Sequence, residues 1–234
     1  FDGVGGTWQL QDAMTVGTTR TTALTNGTLD LSSFTLTTGL FSSTNSNTRT
    51  IAFGTGNISC SGTGIVWSPS TATNLTTTGT QVVNVTSSGS TAITVKNGTL
   101  SQTNAISFNF TSGTYALTMS EFYLDSVRDL NFTGFAGTLT IGTYSVIYGS
   151  LTLSTGMTLA APGASTSLYF QGSGVQQITT NSITLPYSIL VDTGGSVELQ
   201  DALTLYLGDC FLQNGTLDLN GKTLTVGGGS VGSF

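Results

Sequence analysis

The sequence predicts an all-β chain, and within that class a parallel β-helix, or β-solenoid, of roughly nine rungs. Three observations carry the prediction. Thr makes up about one residue in five, and Gly and Asn cluster between short apolar-polar alternations. Those alternations recur every 20–25 residues or so, the length of one supersecondary unit in a solenoid. Finally, the chain repeats its own opening near its end.

The alternations come in order along the chain. Leu29-Asp30-Leu31 is followed by two serines, and Ile51-Ala52-Phe53 by Gly-Thr-Gly. Val83-Asn84-Val85, Phe108-Asn109-Phe110 and Leu130-Asn131-Phe132 each run into a small polar turn. Leu151-Thr152-Leu153, Ile183-Thr184-Leu185 and Leu217-Asp218-Leu219 complete the series. A second strand often follows the first, as at Phe34 to Thr37, Ala92 to Val95, Tyr115 to Met119 and Thr138 to Ile141. The interval from Phe53 to Val85 is longer and contains GIVWSPSTATN, expected as a loop protruding from one rung. No segment reads as α-helix.

The echo covers several features in order. Gly5 to Val16 (GGTWQLQDAMTV) answers Gly194 to Leu205 (GGSVELQDALTL), and NGTLDL at Asn26 answers NGTLDL at Asn214. We therefore expect one solenoid domain over residues 1–234, with 5–39 and 194–227 as matching copies of a longer repeat about eight rungs apart. Leu alternating with Thr puts Leu inside and Thr outside. Stacking at about 4.8 Å then gives an apolar ladder, a hydroxyl ladder and a rod on the order of 40–45 Å long. The alternative is a β-sandwich, which also has short strands and frequent turns.

Composition excludes several classes. Charged residues are only 7%, against roughly 25% in ordinary globular chains. Five basic residues against eleven acidic ones argue against nucleic acid, which needs clustered Lys or Arg. No apolar run approaches a membrane span. No leader or initiator Met stands before Phe1, so Phe1 is expected to follow a cut or an artificial boundary. Cys60 and Cys210 occupy apolar positions of alternating strands and read as small core residues rather than a disulfide. Eight Asn-X-Ser/Thr triplets match the glycosylation pattern, but in a chain this rich in Asn, Ser and Thr they read as turn and strand chemistry.

The absence of His removes the Ser-His-Asp triad, the His general base and the His-ligated metal. The cysteines have no C-x-x-C spacing for zinc, and Gly227-Gly228-Gly229 has no phosphate-loop Lys after it. No cofactor is expected. The single concentration of charge is EFYLDSVRDL, holding Glu121, Asp125, Arg128 and Asp129. A glycosidase needs two carboxylates roughly 5–9.5 Å apart, and Asp125 and Asp129 are the candidate pair. The competing reading is a local ion pair between rungs.

Other polar positions read as structural. Asp30 and Asp218 are equivalent in the two copies, as are Asp12 and Asp201, which suggests Asx-type hydrogen bonding in the rung. No ligand-dense loop for calcium accompanies them. Asn84, Asn109 and Asn131 are expected on the outer face as a column of amides. Thr35-Leu-Thr37, Thr138-Leu-Thr140 and Thr223-Leu-Thr225 have the T-x-T form of ice-binding solenoids, but scattered along the chain.

The phrases GGTWQLQDAMTVG, LTNGTLDL, FSSTNSNTRTIAFGTGN and GSLTLSTGMTL resemble Thr- and Gly-rich β-solenoid structural proteins of tailed phages and aquatic viral metagenomes. The resemblance implies a tail-fibre or virion-surface component and transfers no catalytic residue. Secreted bacterial adhesins share the composition.

The expected function is a non-enzymatic structural module of a fibre or filament, extracellular or on a virion. Its expected partner is itself, through head-to-tail filaments or side-by-side trimers, with attachment loops that meet a cell-surface glycan. A glycan-binding or polysaccharide-degrading β-helix is the alternative, and an ice-binding protein the remote one.

Overall fold

A computed structural model describes residues 1–119, 125–161 and 166–227, the side chain of Asp125 excepted. The chain is a β-solenoid of about ten turns, in line with the roughly nine that the sequence suggests. Among the described residues every strand pairing is parallel, so the β-sandwich alternative does not apply. Among the described residues the one helical element is a 3-10 turn at Gln102–Asn104.

One rung visits three faces in turn, as Thr7–Gln9, Met14–Thr15 and Thr21–Ala23 do in the first. The first face continues through Gly27–Asp30, Arg49–Ala52 and Leu75–Thr78. The 3-10 turn interrupts it, and it resumes at Asp125–Val127, Tyr144–Ile147 and Ser167–Phe170. The third face runs from Thr21–Ala23 to Thr158–Leu159 through seven strands. In the last rungs Ser188–Leu199 and Cys210–Asp218 pass from the first face to the second without a break.

The second face shows why alternation builds the core. Met14, Leu36, Ile58, Val83, Phe108, Leu130, Leu151, Ile178 and Leu199 stack in one column, each pairing with the next. All but Met14, in the end rung, are buried. Beside them the outward residues form a column of Thr15, Thr37, Ser59, Asn84, Asn109, Asn131, Thr152 and Thr179. This is the expected hydroxyl ladder. Aromatic rings obey the same spacing: Phe41 stacks on Trp67 at 4.8 Å and Phe110 on Phe132 at 4.9 Å.

Two expectations need correction. The segment GIVWSPSTATN is not wholly a loop: Gly64–Ser68 is a third-face strand whose Val66 and Trp67 are fully buried, and the excursion begins at Pro69. Its inward run of Val66, Trp67 and Ser68 breaks simple alternation, because the pairing register with Ile93–Val95 shifts there. The long interval before Val83 has a second cause. Ile51 lies on the first face and Val83 on the second, so the recurring phrase slips by one face. It slips again to the third face at Leu185. Counting phrases therefore undercounts rungs.

The same slip affects the echo. Leu10 and Leu199 are equivalent in sequence, yet Leu199 stands in the column of Met14. The strand after the QDA turn is on the second face at Met14–Thr15 and on the third at Leu203–Leu205. The two copies are thus eight rungs and one further face apart.

Candidate functional site

The predicted charge cluster is brought together only in part. Glu121 lies outside the described residues, and of Asp125 only the backbone, in the strand Asp125–Val127, is described. Arg128 and Asp129 follow that strand and line a shallow groove of about 410 Å³ on the second face. Thr80, Ser107, Asn109, Asn131, Ser150 and Thr152 contribute its polar wall.

Both charged side chains are committed to the scaffold. Asp129 accepts hydrogen bonds from Ser107 Oγ at 2.7 Å and from the Ser150 N–H at 2.7 Å, tying three successive rungs. Its carboxylate lies where a side chain at position 149 would sit, so Gly149 is required there. Arg128 donates to Gln81 Oε1. Gln81 is buried and donates in turn to the Thr77 carbonyl at 3.1 Å and the Thr103 carbonyl at 2.7 Å. Arg128 and Asp129 thus reach different partners rather than each other. Among the described residues Asp129 is the one carboxylate lining the groove, and no aromatic ring lines it. What the groove offers is a row of amides and hydroxyls.

That row includes the expected amide column. Asn84 donates to Asn57 Oδ1 at 3.1 Å and Asn109 to Asn84 Oδ1 at 2.9 Å. Asn131 shares their register, but its Oδ1 receives the Thr133 N–H at 2.9 Å. Asp30 and Asp218 behave as their equivalence suggests, accepting the N–H two residues on, from Ser32 and Asn220, both at 2.8 Å. Asp201 does something different. It reaches down to the rung before and accepts from Thr180 N at 2.8 Å, Thr180 Oγ1 at 3.0 Å and Asn181 N at 2.6 Å.

A second groove of about 350 Å³ lies at the corner between the third and first faces, lined by Asn26, Asn47 and Asn74 among others. Beneath that corner sits a residue the sequence reading missed. Arg49 is completely buried, and its guanidinium serves backbone carbonyls only and one hydroxyl. It donates to the carbonyls of Ser43 at 2.5 Å, Asn47 at 2.8 Å, Thr71 at 2.9 Å and Thr73 at 2.7 Å, and to Ser43 Oγ at 2.9 Å. Burial pulls its pKa below the usual guanidinium value. The signal was present: Arg49 shares the inward parity of Ile51 and Phe53.

Cys60 is buried in the core and Cys210 half-buried in the last rung, both free thiols. Burial pushes the Cys60 thiol up to about 12 and raises Cys210 as well. The T-x-T segments do not all share a face: Thr35 and Thr37 are on the second, while Thr138, Thr140 and Thr225 are on the third, several rungs apart. Among the described residues no group of three or more Cys, Asp or Glu side chains is placed to hold a metal ion. No described helix is long and apolar enough to cross a membrane.

The fold and its surfaces define a class, the single-chain parallel β-solenoids. No family model, curated protein or solved structure matches the chain.

Proposed function

We propose that the chain is a non-enzymatic structural module of an extracellular or virion-borne fibre, of the kind its Thr- and Gly-rich wording resembles. The observation that carries this reading is the exposure of the last described rung. Leu29 and Leu31, in the second rung, are 0% exposed, while their echoes in the last rung, Leu217 and Leu219, are half-buried and 41% exposed. The same apolar strand is sealed where a rung covers it and exposed where no described strand lies above it. Open strand edges are sites of further pairing unless something blunts them. A heterologous contact that does not close makes an open fibre. Continuation of the same solenoid in a longer chain would satisfy the ends equally, and side-by-side trimers are a further mode. Negative-stain microscopy of the purified chain tests the reading. Rods longer than one solenoid are expected, and compact single particles at high concentration would overturn it.

The second reading, a glycan-binding or glycan-cleaving β-helix, is favoured by the amide- and hydroxyl-lined groove around Asp129. Turnover of a soluble oligosaccharide that is lost in Asp125→Asn or Asp129→Asn would establish it.

A further inference from the structure

We propose that the groove around Asp129 binds a neutral oligosaccharide lying along the solenoid axis, held through its hydroxyls by Arg128, Asp129, Asn109 and Asn131. The proposal rests on the glycan reading and names its ligand class and contacts.

Three observations lead to it. The first is a break in the amide ladder. Asn109 donates to Asn84 and Asn84 to Asn57, each amide giving an N–H to the rung before. Asn131 is next in register, but its Oδ1 turns aside to the Thr133 N–H. Asn109 Oδ1 and Asn131 Nδ2 are therefore left without partners among the described residues. Both side chains line the groove, so the ladder stops where the groove opens.

The second is how the two charges are held. Gln81 keeps a left-handed backbone, with φ of 53°. Residues with a side chain are strained there, and such residues gather at functional sites. The Gln81 side chain is buried, and its Nε2 serves Thr77 and Thr103. What it presents to the groove side is one oxygen, and that oxygen takes Arg128. A guanidinium has five N–H donors in a rigid fork. One is fixed on Gln81 and the others have no partner among the described residues, so the fork is oriented and still open. Asp129 is open in the same sense. Each oxygen takes a single bond, from Ser107 or from Ser150, while a carboxylate has about four lone-pair sites.

The third is the balance of what is left open. Arg128 offers donors and Asp129 acceptors, and Asn131 offers a donor and Asn109 an acceptor. A ligand carboxylate would meet Asp129 and a ligand ammonium would meet Arg128, each a like-charge contact that costs binding. A hydroxyl donates and accepts at once, so it suits every position. The length of the groove points to a chain rather than a single ring. It crosses four successive second-face strands, Val82–Val85, Ser107–Phe110, Leu130–Asn131 and Leu151–Thr152, roughly 14 Å at the usual strand spacing. Its volume of about 410 Å³ lies in the range of small-ligand sites.

A printed array of neutral, uronate-bearing and amino-sugar oligosaccharides tests this, with calorimetric titration of the bound members against the full chain. Neutral members are expected to bind and charged ones not. Asn131→Asp keeps the Oδ1 that takes the Thr133 N–H and replaces the open donor by an acceptor. It should weaken binding about ten-fold, the order of one hydrogen bond left unmade, with an unchanged melting curve. Thr37→Asp adds the same charge to the same outward column outside the groove and should leave binding as it is. Should Asn131→Asp melt below the parent, Thr152→Lys takes its place. It fills the groove from an outward position whose hydroxyl makes no bond among the described residues, and must weaken binding likewise. Binding confined to uronate or amino-sugar members would overturn the neutral class and leave the glycan reading standing. Neutral binding indifferent to both substitutions would overturn the assignment to this groove. An array with no bound member would overturn both the site and the glycan reading.

Discussion

Arg49→Met is the substitution from which most is expected. A fully buried arginine is rare unless paired, and here its partners are four carbonyls and a hydroxyl rather than a carboxylate. Methionine keeps much of the volume and leaves those carbonyls without a donor. Each buried acceptor left unmade costs about 1–3 kcal/mol. Two of the carbonyls belong to residues with exposure to water, Asn47 and Thr73, so hydration recovers part of the loss. Releasing the guanidinium from burial recovers more. The net is on the order of 3 kcal/mol, at the lower end of what breaking a buried charge's contacts costs. For a chain of this length that lowers the melting temperature by about 6–12 °C. Arg49→Lys keeps the charge, but a single ammonium lacks the fork that reaches both 43–47 and 71–73, so about half the loss is expected. Exposed Arg20→Met should stay within about 0.5 kcal/mol of the parent. Circular dichroism melts and urea titrations followed by tryptophan emission provide the numbers. A melting point for Arg49→Met within 1 °C or so of the parent, with unchanged amide exchange at 43–47, would refute the argument.

Other expectations follow from single sites. The raised Cys60 pKa favours the protonated thiol in the fold, so its contribution is complete below pH 9.0 and is lost as pH rises towards about 12. Parent stability should fall by up to about 1.4 kcal/mol per pH unit in that window, and Cys60→Ala, in reductant, should flatten the profile between pH 9 and 10.5 or so. Tyr115 and Tyr187, whose phenols burial also raises, add the same sign of loss above their usual pKa of 10.0. Tyr115→Phe removes a buried hydroxyl that has no partner among the described residues, so stability should hold or rise by up to about 1 kcal/mol, and a loss of that size in urea titration would contradict the assignment. Gly54→Ala should cost at least about 2 kcal/mol, since φ is 58° and the new methyl would collide with the Ser32 carbonyl of the rung below. A melt matching the parent's would show that the rungs can part there.

Much of this was legible because strand alternation is a local property. Leu29, Leu36 and Val83 announce their inward parity, and Asp30, Asp218, Asn84 and Asn109 their outward one. The Asx bonds of Asp30 and Asp218 need only the two following residues, so they too can be read from the chain. What could not be read is which face a strand occupies. All three faces carry the same alternation, and only the corner between two strands tells them apart. Corner lengths vary, so the strand at Trp67 was read as part of a loop. Arg49 was hidden for another reason. Its parity was visible, but its acceptors come from two excursions, 43–47 and 71–73, that meet it only after the third and fourth rungs stack. Asp129 followed the same logic, since Ser107 and Ser150 lie one rung to either side.

The displaced echo then has a physical explanation. A QDA turn joins the first face to the second at Asp12 and the second to the third at Asp201, with the same flanking strands. The turn is therefore not matched to one corner of the cross-section. At Asp201 it is matched to the turn underneath, because the carboxylate takes backbone N–H groups from the rung below. Interchangeable corners explain how two nearly identical passages tolerate a rotation about the axis. They also explain why conserved wording marks the joints between successive rungs rather than any face. The chain's most specific chemistry is vertical: Asp201 onto Thr180 and Asn181, Asn181 onto Leu153, Asn220 onto Leu199. In a molecule whose sides, the groove at Asp129 apart, are satisfied ladders of hydroxyls and amides, those vertical contacts are the ones that can distinguish one neighbour from another.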